Sequence, residues 1–190
     1  MNDLDRYKDG NKLRIAIWDI ETTGLNADYG YILCVGILNF VTGKIDLIRI
    51  DDKENPDKTS DKWVIQKAIK ILNSFDLLVG WYTIRFDHPF LDTRAAKYGL
   101  EFQKRNFRRD LWFTSRNRLK LRSNRLGIVG QFLFKQTLKD SITPEVWNGA
   151  IRGDKKALNY VANHCRKDLK ETERVYRRFM PLFPDKLRRS

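Results

Sequence analysis

The sequence predicts an α/β fold with a mixed central β-sheet flanked by α-helices, on three observations. Residues 13–20 (LRIAIWDI) are apolar at nearly every position on both faces, the pattern of a strand covered on both sides in the middle of a sheet. Strand-like and helix-like segments follow one another in the order β-β-β-α-β-α-β-α-α, which describes strands interleaved with covering helices. Finally, 190 residues that are 42% apolar and 12% aromatic suit one core of ordinary size, so a single domain over residues 1–190 is expected, its core about 13–180.

Each element has its own local cause. After the first strand, a Thr-Thr-Gly turn leads to residues 31–41 (YILCVGILNFV) and 44–50, two strands joined at Thr42-Gly43 as an antiparallel hairpin. The polar stretch 51–61, with Pro56, reads as a loop. Val64, Ile65, Ala68, Ile69, Leu72 and Phe75 then recur at helical spacing, and LLVG at 77–80 is a short buried strand. Pro89 suits the first turn of a helix ending near residue 98. A strand is expected near 107–112, a helix over 125–134, then a connector containing Pro144, and a last helix from 154 to about 180. In that helix Leu158, Val161, Cys165, Leu169, Thr172 and Val175 or Tyr176 trace the buried stripe.

Charge and cysteine content narrow the function classes. Thirty-seven Lys and Arg against 24 Asp and Glu give a net charge of +13, which points to a polyanionic partner or to a solvated basic face. Most of the imbalance lies between Lys104 and Arg125, where nine basic residues accompany one acid, Asp110, with Phe107, Trp112 and Phe113 among them. That mixture suits a groove holding phosphates while bases rest on rings. Cys34 and Cys165 make no disulfide framework and match no zinc-ligand spacing, so a reducing compartment is expected. The opening MNDLDRYKDGNK is polar, and no run approaches the about 18 apolar residues of a membrane span. A cytoplasmic protein without membrane contact is the expectation.

Several acids stand in apolar places. Asp19 and Glu21 share one face of the central strand with Leu13, Ile15 and Ile17, about 7 Å apart by strand geometry. Like charges there repel unless a cation lies between them, or the triplet begins a turn with its acids in water. On the last helix His164 and Asp168 are four residues apart, beside the buried stripe, where they either form a local pair or serve a ligand. Asp87 follows the 77–80 strand and precedes His88-Pro89, the place both of a helix cap and of ligand residues in open α/β sheets.

Together these pieces resemble the DEDD, or DnaQ-like, 3'-to-5' exonuclease superfamily, which has a ribonuclease H-like fold and four acids in three motifs. WDIETTGL, residues 18–25, resembles its first motif, Asp-x-Glu, at Asp19 and Glu21. GWYTIRFDHPFL, residues 80–91, is similar to the second motif in the form found in proofreading domains of B-family DNA polymerases, with Asp87 as the acid. YVANHCRKDLKETERVY, residues 160–176, is similar to the third, with Asp168 as the acid. The likeness spans about residues 15–180. Two departures stand out: His164 supplies the histidine of one branch at the four-residue spacing of the branch that uses tyrosine, and Tyr82 stands where the polymerase-like motif often has asparagine.

The resemblance implies metal-dependent phosphodiester hydrolysis from the 3' end of a nucleic acid, with single-stranded DNA favoured over RNA. It implies two Mg²⁺ or Mn²⁺ ions, which suit oxygen ligands with no Cys or His cluster competing. Asp19 would bridge them, Glu21 and Asp168 would hold the nucleophile-side ion, Asp87 the leaving-group side, and His164 would orient or deprotonate the water. Thr22, Thr23 and Leu25 would meet the terminal nucleotide, Leu25 as a wedge or as an ordinary turn residue. Arg105, Arg108, Arg109, Arg116, Arg118, Lys120 and Arg122 would grip phosphates. Phe86 and Phe90 are assigned to the core, and Asp110 has no role. A protein partner in replication or repair is compatible with this reading. Its rivals are an exoribonuclease of the same superfamily and a non-catalytic nucleic-acid-binding or scaffold subunit that keeps the fold.

Overall fold

The computed structural model describes residues 13–101, 106–138 and 140–183. β1 (Ile15–Thr22) is the middle strand of a five-stranded sheet, with β2 (Ile32–Asn39) and then β3 (Ile45–Arg49) on one side, β4 (Leu77–Gly80) and then β5 (Phe107–Asp110) on the other. β2 runs antiparallel to both its neighbours, whereas β1, β4 and β5 are parallel, so the sheet is mixed. The expected β2–β3 hairpin turns through Gly43, whose φ of 71° is a conformation glycine adopts without strain.

Side chains alternate along β1 and divide the core. Ala16, Trp18 and Ile20 pack with Val64, Ile65 and Leu72 of α1 (Lys62–Leu72) and Phe90 and Leu91 of α2 (Asp87–Lys97). Ile15 and Ile17 pack on the other side with Val129 of α4 (Leu126–Phe134) and Leu169, Val175 and Tyr176 of α6 (Lys155–Phe179). Each fully buried Ile or Leu contributes about 1.5–3 kcal/mol, so register is strongly fixed. Asp19 and Glu21 continue the odd series of β1 and thus fall on the α6 side.

α6 can lie close to the sheet because Gly36 of β2 has no side chain. A Cβ at Gly36 would sit 2.6 Å from Cys165 Sγ and 2.8 Å from Leu169 Cδ1. Gly36 pairs directly with Asp19 across the sheet. Glycine inside a strand therefore marks the point where the helix carrying His164 and Asp168 meets the strand carrying Asp19 and Glu21.

The loop that follows β1 is anchored by a buried ion pair. Arg94 of α2 donates to Asp61 at 2.7 and 2.9 Å and to the Ala27 carbonyl at 3.2 Å, while Asp61 also accepts from the Ile32 amide at 2.9 Å. Every oxygen of that carboxylate is used, as a buried charge requires.

Two helices depart from the sequence expectation. α3 (Leu111–Arg118) begins directly after β5, inside the segment expected to be strand to residue 112, and α5 (Pro144–Ile151) occupies the supposed connector. α3 buries only Leu111 and Ser115, so no apolar period announces it, yet Asp110 caps it by accepting from the Trp112 amide at 2.9 Å. α5 carries proline at its start and Glu145 in its first turn, start signals that its eight residues leave unsupported by periodicity. β1 also runs two residues beyond the predicted end, and α1 stops at Leu72 rather than 75. Among the described residues no helix is long and apolar enough to cross a membrane.

Candidate active site

Asp19, Glu21, Asp87, His164 and Asp168, from three separate elements, line one cleft of about 560 Å³. Glu21, Asp87, His164 and Asp168 are all buried, and Asp19 is partly so. Asp19 and Glu21 reach the cleft through β1 alternation, Asp168 and His164 through the tight seat of α6 at Gly36.

Asp87 arrives differently. It is the first residue of α2 rather than its cap, a position held by Phe86, which makes no side-chain capping bond. Its carboxylate instead accepts from the Ile20 amide at 3.0 Å, between the two acids of β1. The capping alternative is therefore set aside. Burial first, and then the Asp19 charge, push Asp87 well above the ordinary value of 3.8.

His164 Nε2 lies 3.8 Å from Asp168 Oδ2 and 4.0 Å from Glu21 Oε1, so the local i,i+4 pairing and proximity to the site hold together. Its other nitrogen, Nδ1, meets Asp140 Oδ1 at 2.5 Å. Asp140 also accepts from Lys167 Nζ at 2.5 Å. Nothing in the sequence marks Asp140, which lies in the segment between α4 and α5, 24 residues before its histidine partner.

Asp19, Glu21 and Cys165 each offer a ligand atom within 4.8 Å of the others. Sequence reasoning places no sulfur at the site, but Cys165 on the buried stripe of α6 comes beneath both carboxylates. A hydrogen bond with Cys34, then burial, push its thiol well above the usual 9.0, which disfavours the thiolate form. Carboxylate oxygens dominate the donor set, and such a set fits a hard divalent cation. The raised Asp87 carboxyl has the same origin, buried acids held close to one another.

The residues expected to touch substrate separate into groups. Thr22 donates to the Gly24 carbonyl at 2.7 Å, and the Thr23 hydroxyl accepts from the Tyr31 amide at 3.0 Å, so both side chains shape the loop after β1. Leu25 is 83% exposed and borders a second groove of about 480 Å³ with Arg85, Pro89 and Phe90. Phe86 is partly buried against the core that contains Phe90, as expected, and in addition lines both this groove and the main cleft, whereas Phe90 is buried.

The basic segment divides similarly. Arg105 lies outside the described residues. Arg108 and Arg109 are half-buried on β5, with the Arg109 guanidinium 4.0 Å above the Phe183 ring, and neither lines the cleft. Arg116, Arg118, Lys120 and Arg122 are exposed on α3 and the loop that follows it. Among the described residues of this segment, Arg125, at the start of α4, is the basic one that borders the cleft. Asp110, given no role from sequence, ties the site together by accepting from the Tyr82 and Ile84 amides at 2.9 and 3.0 Å. Ile20, Trp81, Tyr82, Trp112, Asn124 and Leu126 complete the lining.

Comparison with known proteins agrees with this architecture. A family B DNA polymerase from the hyperthermophilic archaeon Pyrobaculum calidifontis superposes with a TM-score of 0.68 at 16% identity, over 89% of this chain and 25% of the polymerase. The chain thus spans about a quarter of that structure, and the likeness is one of fold. The uncharacterized protein MJ0365 of Methanocaldococcus jannaschii is 28% identical over 184 residues, covering 85% of this chain and 93% of the relative. The model of the RNase_H superfamily matches residues 16–180, a span that begins in β1 and ends just after α6, taking in every carboxylate of the cleft. With that span matched and the mixed sheet in place, the chain belongs to the RNase_H superfamily and has its nuclease fold.

Proposed function

We propose that the protein is a metal-dependent 3'-to-5' exonuclease acting on single-stranded nucleic acid, DNA in preference to RNA. The observation that carries this reading is the convergence of Asp19, Glu21, Asp87 and Asp168, with His164, on one open cleft. Asp19, Glu21, Asp87 and Asp168 are the residues that would hold two Mg²⁺ or Mn²⁺ ions. Bound there, such ions supply positive charge to the attacking and departing oxygens of a phosphodiester. The chain's own residues do the rest. His164 presents Nε2 toward the carboxylates, where it takes a proton from the attacking water. Asp140 fixes the imidazole from behind, and Arg125 meets backbone phosphate at the rim.

The preference for DNA rests on the likeness to a DNA polymerase alone, and a partner in replication or repair is part of the same proposal.

The test is a time course with 5'-labelled and 3'-labelled strands of DNA and RNA in Mg²⁺, Mn²⁺ or EDTA, beside Asp19→Ala. A metal-dependent ladder that shortens from the 3' end and vanishes in the variant is expected. Intact strands in every condition, with a retained mobility shift, would make the protein a binding subunit instead.

A further inference from the structure

Among the described residues other than glycine, only Tyr82 and Lys135 have positive φ, at 66° and 62°. Lys135 ends α4, where a left-handed residue is common. Tyr82 has no helix end to explain it. A bulky side chain in that region is strained, and asparagine or glycine would adopt it more readily. Such strain persists only where the surroundings impose it.

The Asp110 carboxylate imposes it. It accepts from the Tyr82 and Ile84 amides on one loop and from the Trp112 amide at the start of α3. One buried acid thereby sets the spacing of two aromatic residues. Their rings meet edge to face with centroids 5.1 Å apart at 71°. Tyr82 nevertheless remains 42% exposed, so its ring is held at the surface rather than spent on the core. Both rings line the same cleft as the carboxylates. On that cleft the Trp81 indole donates to the Asn124 carbonyl at 3.2 Å, which positions the following residue, Arg125.

We infer that Tyr82 and Trp112 form a stacking platform for unpaired nucleobases beside the carboxylates, with Arg125 meeting the adjoining phosphate, so that the cleft selects single-stranded over base-paired ends. The inference rests on reading the cleft as a nucleic-acid site. Every base has a face that can rest on an aromatic ring, whatever its sequence. Bases inside a duplex have both faces covered by their neighbours, and a terminal pair frees one outer face only, its base still held to the partner strand. A preformed platform also avoids the ordering cost that a mobile aromatic side chain would incur on binding.

Equilibrium binding in EDTA, where no cleavage occurs, tests the platform. The probes are a fluorescent oligothymidylate, the same strand with abasic residues at its 3' end, and a blunt duplex. The wild type is expected to bind the intact strand on the order of tenfold tighter than the abasic strand, as stacking on aromatic side chains gives. Tyr82→Asn suits the left-handed backbone and keeps the amide bond to Asp110, so it removes the ring without unfolding the loop. It and Trp112→Leu are expected to lose most of that preference, whereas Tyr82→Phe retains it.

Equal binding of intact and abasic strands by the wild type, or full preference in Tyr82→Asn, would overturn the platform. Parallel incubation in Mg²⁺ separates the two readings. Base preference without any cleavage removes the exonuclease and leaves the platform standing, while cleavage without base preference does the reverse.

Discussion

The Nδ1 atom of His164 lies 2.5 Å from Oδ1 of Asp140, while its Nε2 faces Glu21 and Asp168 at 4.0 and 3.8 Å. Burial alone would raise the Asp140 carboxyl, yet hydrogen bonds from Lys167 and His164 and their charges hold it below 3.8. An ionised carboxylate only accepts, so Nδ1 is the ring nitrogen that donates and Nε2 is the one left facing the cleft.

Asp140→Asn is therefore expected to lower kcat by about tenfold to a hundredfold with KM little changed, as loss of an orienting partner does. His164→Ala should cost about a hundredfold or more. The discriminating readout is the ¹⁵N spectrum of the imidazoles, which is simple because His88 is the other of only two histidines. The variant should show mixed Nδ1–H and Nε2–H tautomers. An unchanged tautomer together with an unchanged rate would show that Asp140 merely anchors its loop.

Gly36→Ala tests the seat of α6. The added methyl would meet Cys165 Sγ at 2.6 Å and Leu169 Cδ1 at 2.8 Å, and α6 must yield. Overpacking of this kind costs about 1–3 kcal/mol in denaturant unfolding. Cleavage should fall further than stability, because His164 and Asp168 move with the helix. Cys165→Ala in the same chain removes the sulfur that the methyl would strike and should restore part of both losses, a coupling that independent sites lack. Simple additivity of the two substitutions would mean that the helix does not respond as a unit.

What is legible in the sequence follows from chemistry that interrupts a pattern. Asp19 and Glu21 are visible because they end an apolar strand, and Asp168 because it stands beside an apolar helical stripe. Asp140 is not, since its value depends on a partner 24 residues away that no period encodes. Tyr82 shows as a departure from a motif, but its backbone and its pairing with Trp112 are tertiary facts. Charge misleads at Arg108 and Arg109, which look identical to their exposed neighbours in sequence and differ only through their place on a strand. The same run of charges conceals α3, whose two buried residues are too few to show a helical period.

Asp87→Asn should abolish cleavage and yet stabilise the metal-free protein. Burial and the Asp19 charge raise the folded-state value of Asp87 far above 3.8, so the folded state binds a proton more tightly than the unfolded chain. That contribution to stability is complete below the unfolded value and is lost as pH rises through the raised folded value. The wild-type melting temperature in EDTA should therefore fall, relative to that of Asp87→Asn, as pH rises above the unfolded value of about 4. Added Mg²⁺ should close the gap by favouring the ionised set in the wild type. Parallel pH profiles for the two proteins in EDTA would remove Asp87 from the crowded cluster.

The last prediction separates two kinds of arginine in one basic run. Arg116, Arg118, Lys120 and Arg122 are exposed on α3 and the loop that leads to Arg125, so solvent and phosphates can reach them. Replacing these four with alanine should weaken binding of a single strand in EDTA and flatten its salt dependence, by about 0.7 in the log–log slope for each phosphate no longer neutralised. Arg109 instead covers the Phe183 ring at 4.0 Å, and burial lowers Arg108 from its usual value while Asp92 opposes the shift. Alanine at either position should lower the melting temperature through poorer packing and leave the salt slope where it was. A slope that follows Arg108 and Arg109, and ignores the loop, would route the strand over β5 rather than past Tyr82 and Trp112.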